Sequence, residues 1–338
     1  MLHYLRGSFR PSNNIVELRS YVRQRSRLFE AGATQTQLMH KALTQMNIQL
    51  NHVISDITGT TGLNIIQAIL KGTRSPEILA NLSVGKCRKN IERIKKALEG
   101  NFRAEHVFAL KQAYEGYEFF HKQIQKCEEA IEKALLLLEV EQPSSTKDES
   151  AFKSPSQKHR RKTQSHRSSY SFNVSASIQK VTKCDLTTIP GIEGNTAMKI
   201  LSEIGTDPTK WSSPKAFVSW LGLCPGNKVS GGKVLSSRTR PSDNRAAQAL
   251  RMAAFSLHRS KTALGAFFRR MRCRLGAPKA ITATAHKLAR ILYRMLVTGE
   301  NYREIGENYY EQQHQARVLA NLKKRAKEVG HDLVPITQ

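Results

Sequence analysis

The sequence predicts a mainly α-helical protein, with a long antiparallel helical stalk (a coiled coil) and a compact helical domain that carries a helix-hairpin-helix-like motif and a short β-hairpin. Three observations predict this fold class. Apolar residues recur every three to four positions over residues 13–56 and again over residues 104–140, as on one face of an α-helix. A Pro190-Gly191 turn precedes a third, shorter amphipathic stretch. Finally, Gly231-Gly232 separates two short runs, as in a β-hairpin.

The stalk is predicted over residues 1–142. Ser12 or Asn13 can cap its first helix. The apolar stripe of that helix is Ile15, Leu18, Val22, Phe29, Leu38, Ala42, Leu50, Val53 and Ile57. The stripe of the second helix is Val107, Leu110, Ala113, Tyr117, Phe120, Ile124, Cys127, Ile131, Ala134 and Leu138. Helices of this length pair as a hairpin or a coiled coil, and their seam either packs on itself or joins two chains. We expect a homo-oligomer, a dimer or larger, formed through the stalk.

The charge of the chain is concentrated after the stalk. The net charge is +27, of which residues 1–142 contribute +6 (20 basic and 14 acidic residues) and the remainder +21. Between Lys210 and Met295 there are eighteen Lys or Arg residues and one acid, Asp243. This imbalance predicts a nucleic-acid partner first and an anionic membrane surface second. Residues 143–179, which are rich in Ser, Lys, Arg, Gln and His, are predicted to be a flexible basic linker before a C-terminal domain at 180–338.

Other function classes receive no support from the sequence. Long apolar runs and the apolar core of a signal peptide are missing, so we expect no transmembrane span. With a nucleic-acid partner as the first inference from charge, we expect no membrane partner. The five cysteines form no C-x-x-C pair, which indicates neither a zinc site nor a disulfide framework. A reducing, cytoplasmic location fits this cysteine usage.

The C-terminal domain begins with the pattern of a helix-hairpin-helix. Such hairpins present backbone N–H groups at a helix N-terminus, where they bind phosphate. We therefore predict that Gly191 and Gly194 contribute to nucleic-acid binding. The stretch Ile57–Gly62 has the same I-x-G-x-x-G spacing and is either a second hairpin or a pair of ordinary glycine turns.

A glycine-rich loop with a serine lies in the middle of the basic region. Ser230 precedes two glycines, which let a substrate approach closely, so its hydroxyl is a candidate nucleophile. No His–Asp pair stands at a diagnostic spacing, but nearby cations can lower the pKa of the hydroxyl or hold a phosphate. The alternative is a hairpin-turn serine that hydrogen-bonds its own backbone. The further residues that we predict to bind nucleic acid are Lys228, Gly231, Gly232, Lys233, Arg238, Arg240, Arg245 and Arg251.

A long helix is predicted from the cap Asp243 or Asn244 to about Met271. The arginines predicted on its outward face are Arg245, Arg251, Arg259, Arg270 and Arg274. His258 lies on this helix and His286 on the next one. Both are interpreted as packing or phosphate-facing residues rather than as metal ligands or bases.

Three stretches closely resemble the C-terminal transposase domain of the IS-110 / IS-1111 group of insertion-sequence transposases. They read TTIPGIEGNTAMKILSEIG, FVSWLGLCPGNKVSGGKVLSSRTRPSDNRAAQALRMAAFSLHRSKTALGAFFRRMRCRLG and PKAITATAHKLARILYRML. The resemblance covers roughly residues 183–330, and the stalk from Arg10 to Glu141 resembles the coiled-coil segment that precedes this domain in the family.

This resemblance implies a DNA recombinase. Members of the family combine a RuvC-like domain, which has four acidic metal ligands, with a domain whose serine forms a covalent phosphoserine link to DNA, and a structured RNA from the element guides them. The S-G-G-K motif falls on Ser230–Lys233, so the resemblance implies Ser230 as the nucleophile, with Ser236 and Ser237 as rivals.

The sequence departs from the family pattern before the stalk. A strand with a metal-binding aspartate is expected there, but the acids before Ile57 are Glu17, Glu30 and Asp56. We therefore expect this chain to lack the acidic half of the site through truncation, a late start or division between two chains. It would then bind no cofactor itself, and Mg²⁺ would act only with the missing domain. Two functions remain open, a serine transposase inactive alone and a non-catalytic DNA- or RNA-binding remnant, with a coiled-coil assembly protein as a weaker third.

Overall fold

The computed structural model describes residues 9–140 and 169–334, which form twelve α-helices and one two-stranded antiparallel sheet. The helices are α1 (Asn13–Gln45), α2 (Thr60–Leu70), α3 (Pro76–Asn81), α4 (Ile91–Ala97), α5 (Ala104–Val140), α6 (Val174–Thr182), α7 (Gly194–Ile204), α8 (Pro214–Trp220), α9 (Arg245–Ser256), α10 (Ala263–Leu275), α11 (Ala277–Thr298) and α12 (Glu307–Glu328). The strands are β1 (Lys228–Ser230) and β2 (Lys233–Ser236). The mainly α class with a short β-hairpin is confirmed. In the ranges described, no helix is long and apolar enough to cross a membrane.

The described chain forms two compact units. One is made of residues 23–130, and the other of residues 9–22 together with 131–140 and 169–334. The predicted stalk, residues 1–142, therefore contributes to both units.

In the unit of residues 23–130, α1 and α5 run antiparallel. Arg25 forms a buried ion pair with Glu128, with Nη2 2.7 Å from Oε1. Farther along both helices, a Cβ on Gly32 would lie 3.5 Å from Cβ of Phe120. The predicted span of α5, residues 104–140, agrees with its observed bounds. The coiled coil remains a prediction, since an antiparallel pair by itself does not require supercoiling.

The first helix is shorter than predicted, because it ends at Gln45 and not at residue 56. Asn47 adopts a left-handed conformation (φ 59°), and the amide of Ile48 donates a 2.9 Å hydrogen bond to the carbonyl of Leu43, which closes the helix. The chain then turns, so that Leu50 and Ile57 are buried without continuing the helix. They join a core that also contains Met39, Met46, Ile48, Ile65, Ile66, Ile69, Leu79, Ile94, Leu98 and Leu110. The predicted stripe residue Leu38 is 45% exposed.

In the other unit, α6 begins earlier than the predicted end of the basic linker at residue 179. Asn173 caps α6 by accepting a 3.2 Å hydrogen bond from the amide of Ala176, and Val174 and Ile178 are buried. Residues 141–168, which include most of that linker, lie outside the described residues. Helix α9 packs between α7 and α11, and α10 packs against both α11 and α12.

The single long helix predicted from residue 244 to about 271 is two helices. Helix α9 ends at Ser256, a 3₁₀ turn spans Leu257–Arg259, and α10 begins at Ala263. Thr262 caps α10, with its Oγ1 accepting a 3.2 Å hydrogen bond from the amide of Gly265. A Cβ on Gly265 would lie 2.1 Å from the carbonyl oxygen of Ser260, so the fold of this turn depends on the glycine.

Candidate nucleic-acid interface

The glycine-rich loop is the exposed tip of the β-hairpin. Ser230 pairs with Lys233 across the strands, and Gly231 (φ 54°) and Gly232 (φ 73°) form the turn between them. Two consecutive positive φ angles are the geometry of a type I′ turn, which glycine adopts without strain. A Cβ at either glycine would have no neighbour within 4 Å, so both faces of the turn are open to a ligand.

Cations surround this tip. Ser230 and Lys233 are directly opposed, which places their side chains on the same face of the hairpin. Lys228 pairs with Ser236, with a bulge next to it, and both lysines are exposed. At the base, the amide of Gly226 donates a 3.0 Å hydrogen bond to the carbonyl of Arg238. The hairpin thus presents solvated positive charge on both strands.

The two arginines of α9 have different surroundings. Arg245 is exposed in the first turn, next to the cap Asn244, whose Oδ1 accepts hydrogen bonds from the amides of Ala246 (3.0 Å) and Ala247 (3.2 Å). Arg251 is half-buried, and its Nη2 lies 3.5 Å from the carbonyl oxygen of Gly222. Arg251 therefore contacts the loop before the hairpin, whereas Arg245 is available to a ligand.

Gly191 occupies a tightly packed position, whereas Gly194 has ordinary packing distances. Gly191 has φ +85°, and a Cβ there would lie 2.7 Å from the carbonyl oxygen of Ala253 in α9. Gly194 opens α7, where a Cβ would meet the side chain of Val174 at 3.5 Å. Glu193, the N-cap residue of α7, is exposed, so its carboxylate lies at the helix end whose backbone amides were predicted to bind phosphate. Packing explains why residue 191 is a glycine. The role of the turn in phosphate binding, like the helix-hairpin-helix itself, stays a prediction.

A groove of about 930 Å³ runs beside the base of the hairpin. Its polar lining consists of Asn227, Ser236, Ser237, Arg238, Thr239, Lys279, Thr282 and His286. The structure thus separates the candidate serines: Ser236 and Ser237 line the groove, whereas Ser230 is at the exposed tip.

The two histidines also differ in their surroundings. His258 packs on Phe255, with Nδ1 3.0 Å from the carbonyl oxygen of that residue and the rings 5.5 Å apart. His286 lines the groove, and burial, with the charge of Arg290 acting in the same direction, lowers the pKa of its imidazole. A neutral imidazole at neutral pH is the consequence.

The sequence analysis missed a second basic site, a cleft between α10, α11 and α12. Arg270 was predicted to face outward, but it is half-buried and its guanidinium lies 4.7 Å from the ring centroid of Tyr310. Lys287 lies over the same ring at 5.0 Å. The one available signal was the recurrence of Arg and Lys beside aromatic residues in these three helices.

Within residues 9–140 and 169–334, no group of three or more His, Cys, Asp or Glu side chains is arranged to hold a metal ion. The role of Mg²⁺ that the resemblance implies stays a prediction.

Comparison with known proteins finds that this chain is similar to transposases. Residues 185–269 match the model of the "Transposase IS116/IS110/IS902 family". "Putative transposase y4pF/y4sB" of Sinorhizobium fredii (strain NBRC 101917 / NGR234) is 32% identical over 131 residues, which is 35% of this chain and 32% of the relative. The alignment thus spans about a third of the length of that relative. The Pro190-Gly191 turn, the whole β-hairpin and α9 all lie in residues 185–269, the segment that matches the transposase family model.

Proposed function

We propose that this chain is a DNA-binding transposase polypeptide that acts in DNA transposition, a form of site-specific recombination, with Ser230 as its nucleophile. The observation that carries the proposal is that the matched transposase domain contains the entire exposed basic hairpin. Because the relative and the family model each align with only part of the chain, the activity of the whole protein belongs to this proposal.

Binding to DNA follows from the charge of the domain. Lys228, Lys233, Arg238 and Arg240 are exposed on the hairpin and the loop after it, and no described residue forms an ion pair with them. Exposed cations of this kind release counterions when they contact phosphates, which provides sequence-independent affinity. We therefore expect the hairpin to contact the DNA backbone rather than base edges.

The proposed chemistry uses the same geometry. The glycines at the turn leave room for a phosphate beside Ser230, and Lys233 on the same face stabilises negative charge on the phosphoryl oxygens. The Ser230 Oγ–P bond forms as one P–O bond of the DNA strand breaks. The hydroxyl proton of the exposed Ser230 passes to solvent water, and the departing DNA oxygen takes up a proton from solvent.

Three parts of the proposal lie beyond this domain. We expect Mg²⁺ to be held by acidic residues of a separate domain, and a structured RNA to guide the choice of DNA. We also expect a homo-oligomer through α5, where Phe108 (61% exposed) and Phe119 (55% exposed) lie eleven residues apart on one helix face.

The second candidate function is nucleic-acid binding without catalysis. It is favoured by the openness of the hairpin, since no side chain of residues 9–140 or 169–334 hydrogen-bonds the hydroxyl of Ser230.

Covalent attachment distinguishes the two functions. The full chain is incubated with labelled DNA, with and without a RuvC-like domain of the family, guide RNA and Mg²⁺, and is resolved on a denaturing gel. We expect a shifted protein–DNA band only in the complete mixture, and its loss in Ser230→Ala with unchanged DNA affinity. Ser236→Ala and Ser237→Ala are the matched controls. A band that survives Ser230→Ala would assign the nucleophile to one of those serines, and a band from the chain alone would refute the need for a second domain.

A further inference from the structure

The cleft between α10, α11 and α12 has a volume of about 690 Å³. Its lining combines three aromatic residues, Phe267, Tyr293 and Tyr310, with His286 and five cationic side chains, namely Arg270, Lys287, Arg290, Arg294 and Arg317. Most of this cleft belongs to α11 and α12, which lie beyond the segment that matches the transposase family model.

Two of these cations share the aromatic rings. Lys287 Nζ lies 4.4 Å from the ring centroid of Phe267 and 5.0 Å from that of Tyr310. The guanidinium of Arg270 lies 4.7 Å from the centroid of Tyr310 and 6.0 Å from that of Phe267. Cation–π contacts stabilise each cation, but they leave its charge in place. Two like charges are therefore held close together in a partly desolvated site.

The nearby acids do not neutralise them. Glu304 Oε1 accepts hydrogen bonds from the amides of Ala263 (2.8 Å) and Gly306 (2.9 Å). Glu307 forms an ion pair with Arg269. The charge of Glu311 acts on Arg270 and that of Glu304 acts on Lys287, yet no ion pair within the described residues involves any of the basic side chains that line the cleft. The cleft thus carries an excess of positive charge.

Arg270 also has an unused donor. Its Nη1 is buried and has no hydrogen-bond partner among the residues described. A buried charged donor without an acceptor is costly, and a guanidinium is well suited to an anion with several oxygens, such as phosphate. Burial lowers the pKa of Lys287, and the charges of Arg270 and Arg317 lower it further. An anion between these groups would remove both penalties.

The cleft continues into the groove beside the hairpin. Phe267, Ala283 and His286 line both, so the two form one track along α11. Arg290, Arg294 and Arg317 are exposed at the rim of the cleft, which leaves it accessible from solvent. A small phosphate compound would need only the cleft, whereas a polymer with a repeated phosphate would use the whole track.

We propose that the cleft of Arg270, Lys287 and Arg317 is a second phosphate-binding site, which holds the backbone of a nucleic-acid strand that also contacts the β-hairpin. This inference rests on the proposed function for the identity of its ligand. It adds a binding surface outside the matched transposase segment.

The first test compares two arginines of α12. Arg317 lines the cleft, whereas Arg325 is exposed two turns later on the same helix and does not line it. Binding of the full chain to labelled DNA and RNA oligonucleotides is measured by fluorescence anisotropy over a range of salt concentrations. Arg317→Gln should weaken binding about 3- to 10-fold and reduce the slope of log K against log salt by about one, with a clearly smaller effect for Arg325→Gln. Equal effects of the two substitutions would overturn the proposal.

The second test separates binding from folding. Lys287→Met removes a desolvated charge and leaves an apolar side chain on the two rings, so we expect the melting temperature to be unchanged or higher while affinity falls. Acetylation of lysines in the wild-type chain, quantified by mass spectrometry, directly measures whether a bound oligonucleotide covers Lys287. An oligonucleotide should protect Lys287 and leave the exposed Lys323 reactive. A Lys287→Met chain with lower stability and undiminished affinity would contradict the assignment, as would absence of protection.

Two further experiments distinguish a failure of the cleft proposal from a failure of the proposed function. If Lys228→Gln with Lys233→Gln weakens oligonucleotide binding but Arg317→Gln does not, the cleft proposal fails and the proposed function stands. If the wild-type chain binds no oligonucleotide, both fail. Inorganic pyrophosphate and ADP are added as competitors. Micromolar competition at the cleft by either compound, without an effect of the cleft variants on oligonucleotide affinity, would show a small-ligand site and overturn the strand proposal.

Discussion

Replacement of Gly191 by alanine should destabilise the unit that contains the segment matched by the transposase family model. Gly191 has φ +85°, a left-handed conformation that costs an alanine about 1 kcal/mol. The added Cβ would also lie 2.7 Å from the carbonyl oxygen of Ala253, closer than real contacts allow, so the turn or α9 must move. Overpacking of this kind costs about 1–3 kcal/mol, which gives a total of about 3 kcal/mol for Gly191→Ala.

Gly231→Ala is the matched control. It also has a positive φ, 54°, but its Cβ would have no neighbour within 4 Å, so we expect a cost of only about 1 kcal/mol. Both tryptophans of the chain, Trp211 and Trp220, lie in this same unit, so their fluorescence during urea unfolding monitors it selectively. The expected difference of about 2 kcal/mol corresponds to a midpoint shift of about 1 M urea.

Equal stabilities of the two variants would refute the packing argument for Gly191. If Gly191→Ala were as stable as Gly231→Ala and had lost DNA affinity, the turn would act as a phosphate-binding element, as the sequence pattern predicted. Loss of stability with affinity retained in the folded fraction would instead assign it to packing.

Three further predictions concern other parts of the chain. Glu128→Gln should lower the free energy of unfolding of the unit of residues 23–130 by about 3 kcal/mol, since it removes the buried carboxylate that pairs with Arg25. Glu115→Gln, in an exposed pair with Lys111, should cost less than about 0.5 kcal/mol, and hydrogen exchange measures both changes. DNA affinity should fall about tenfold or more from low to physiological salt in a filter-binding assay, and a salt-independent isotherm would exclude phosphate contacts. Burial lowers the pKa of His286 below its usual 6.5, so below that pH the unfolded chain binds a proton that the folded chain does not. The free energy of unfolding should therefore fall towards pH 5, and it should fall less steeply in His286→Phe.

Local patterns were sufficient for the second long helix and for the turn of the β-hairpin. The stripe of α5 predicted its bounds because long helices with one buried face keep the 3.6-residue period throughout. The Gly231-Gly232 turn was predictable as well, since only glycine adopts two consecutive left-handed conformations readily. The errors in helix length lie where a tertiary contact ends a helix although the apolar spacing continues along the chain. The apolar spacing continues past Gln45, yet the left-handed Asn47 and the burial of Leu50 in a separate core end the helix.

By itself, the sequence determined the mainly helical class, the excess of positive charge after residue 142 and the resemblance to a transposase domain, because each of these is carried by composition, by local periodicity or by a motif. Only the tertiary structure separated Ser230 at an open tip from Ser236 and Ser237 in a groove. It alone brought Arg270, Lys287 and Arg317 from three helices around two aromatic rings. Their spacing along the chain does not predict that these three side chains lie close together, since burial and electrostatic repulsion depend on distance in space and not on separation in sequence.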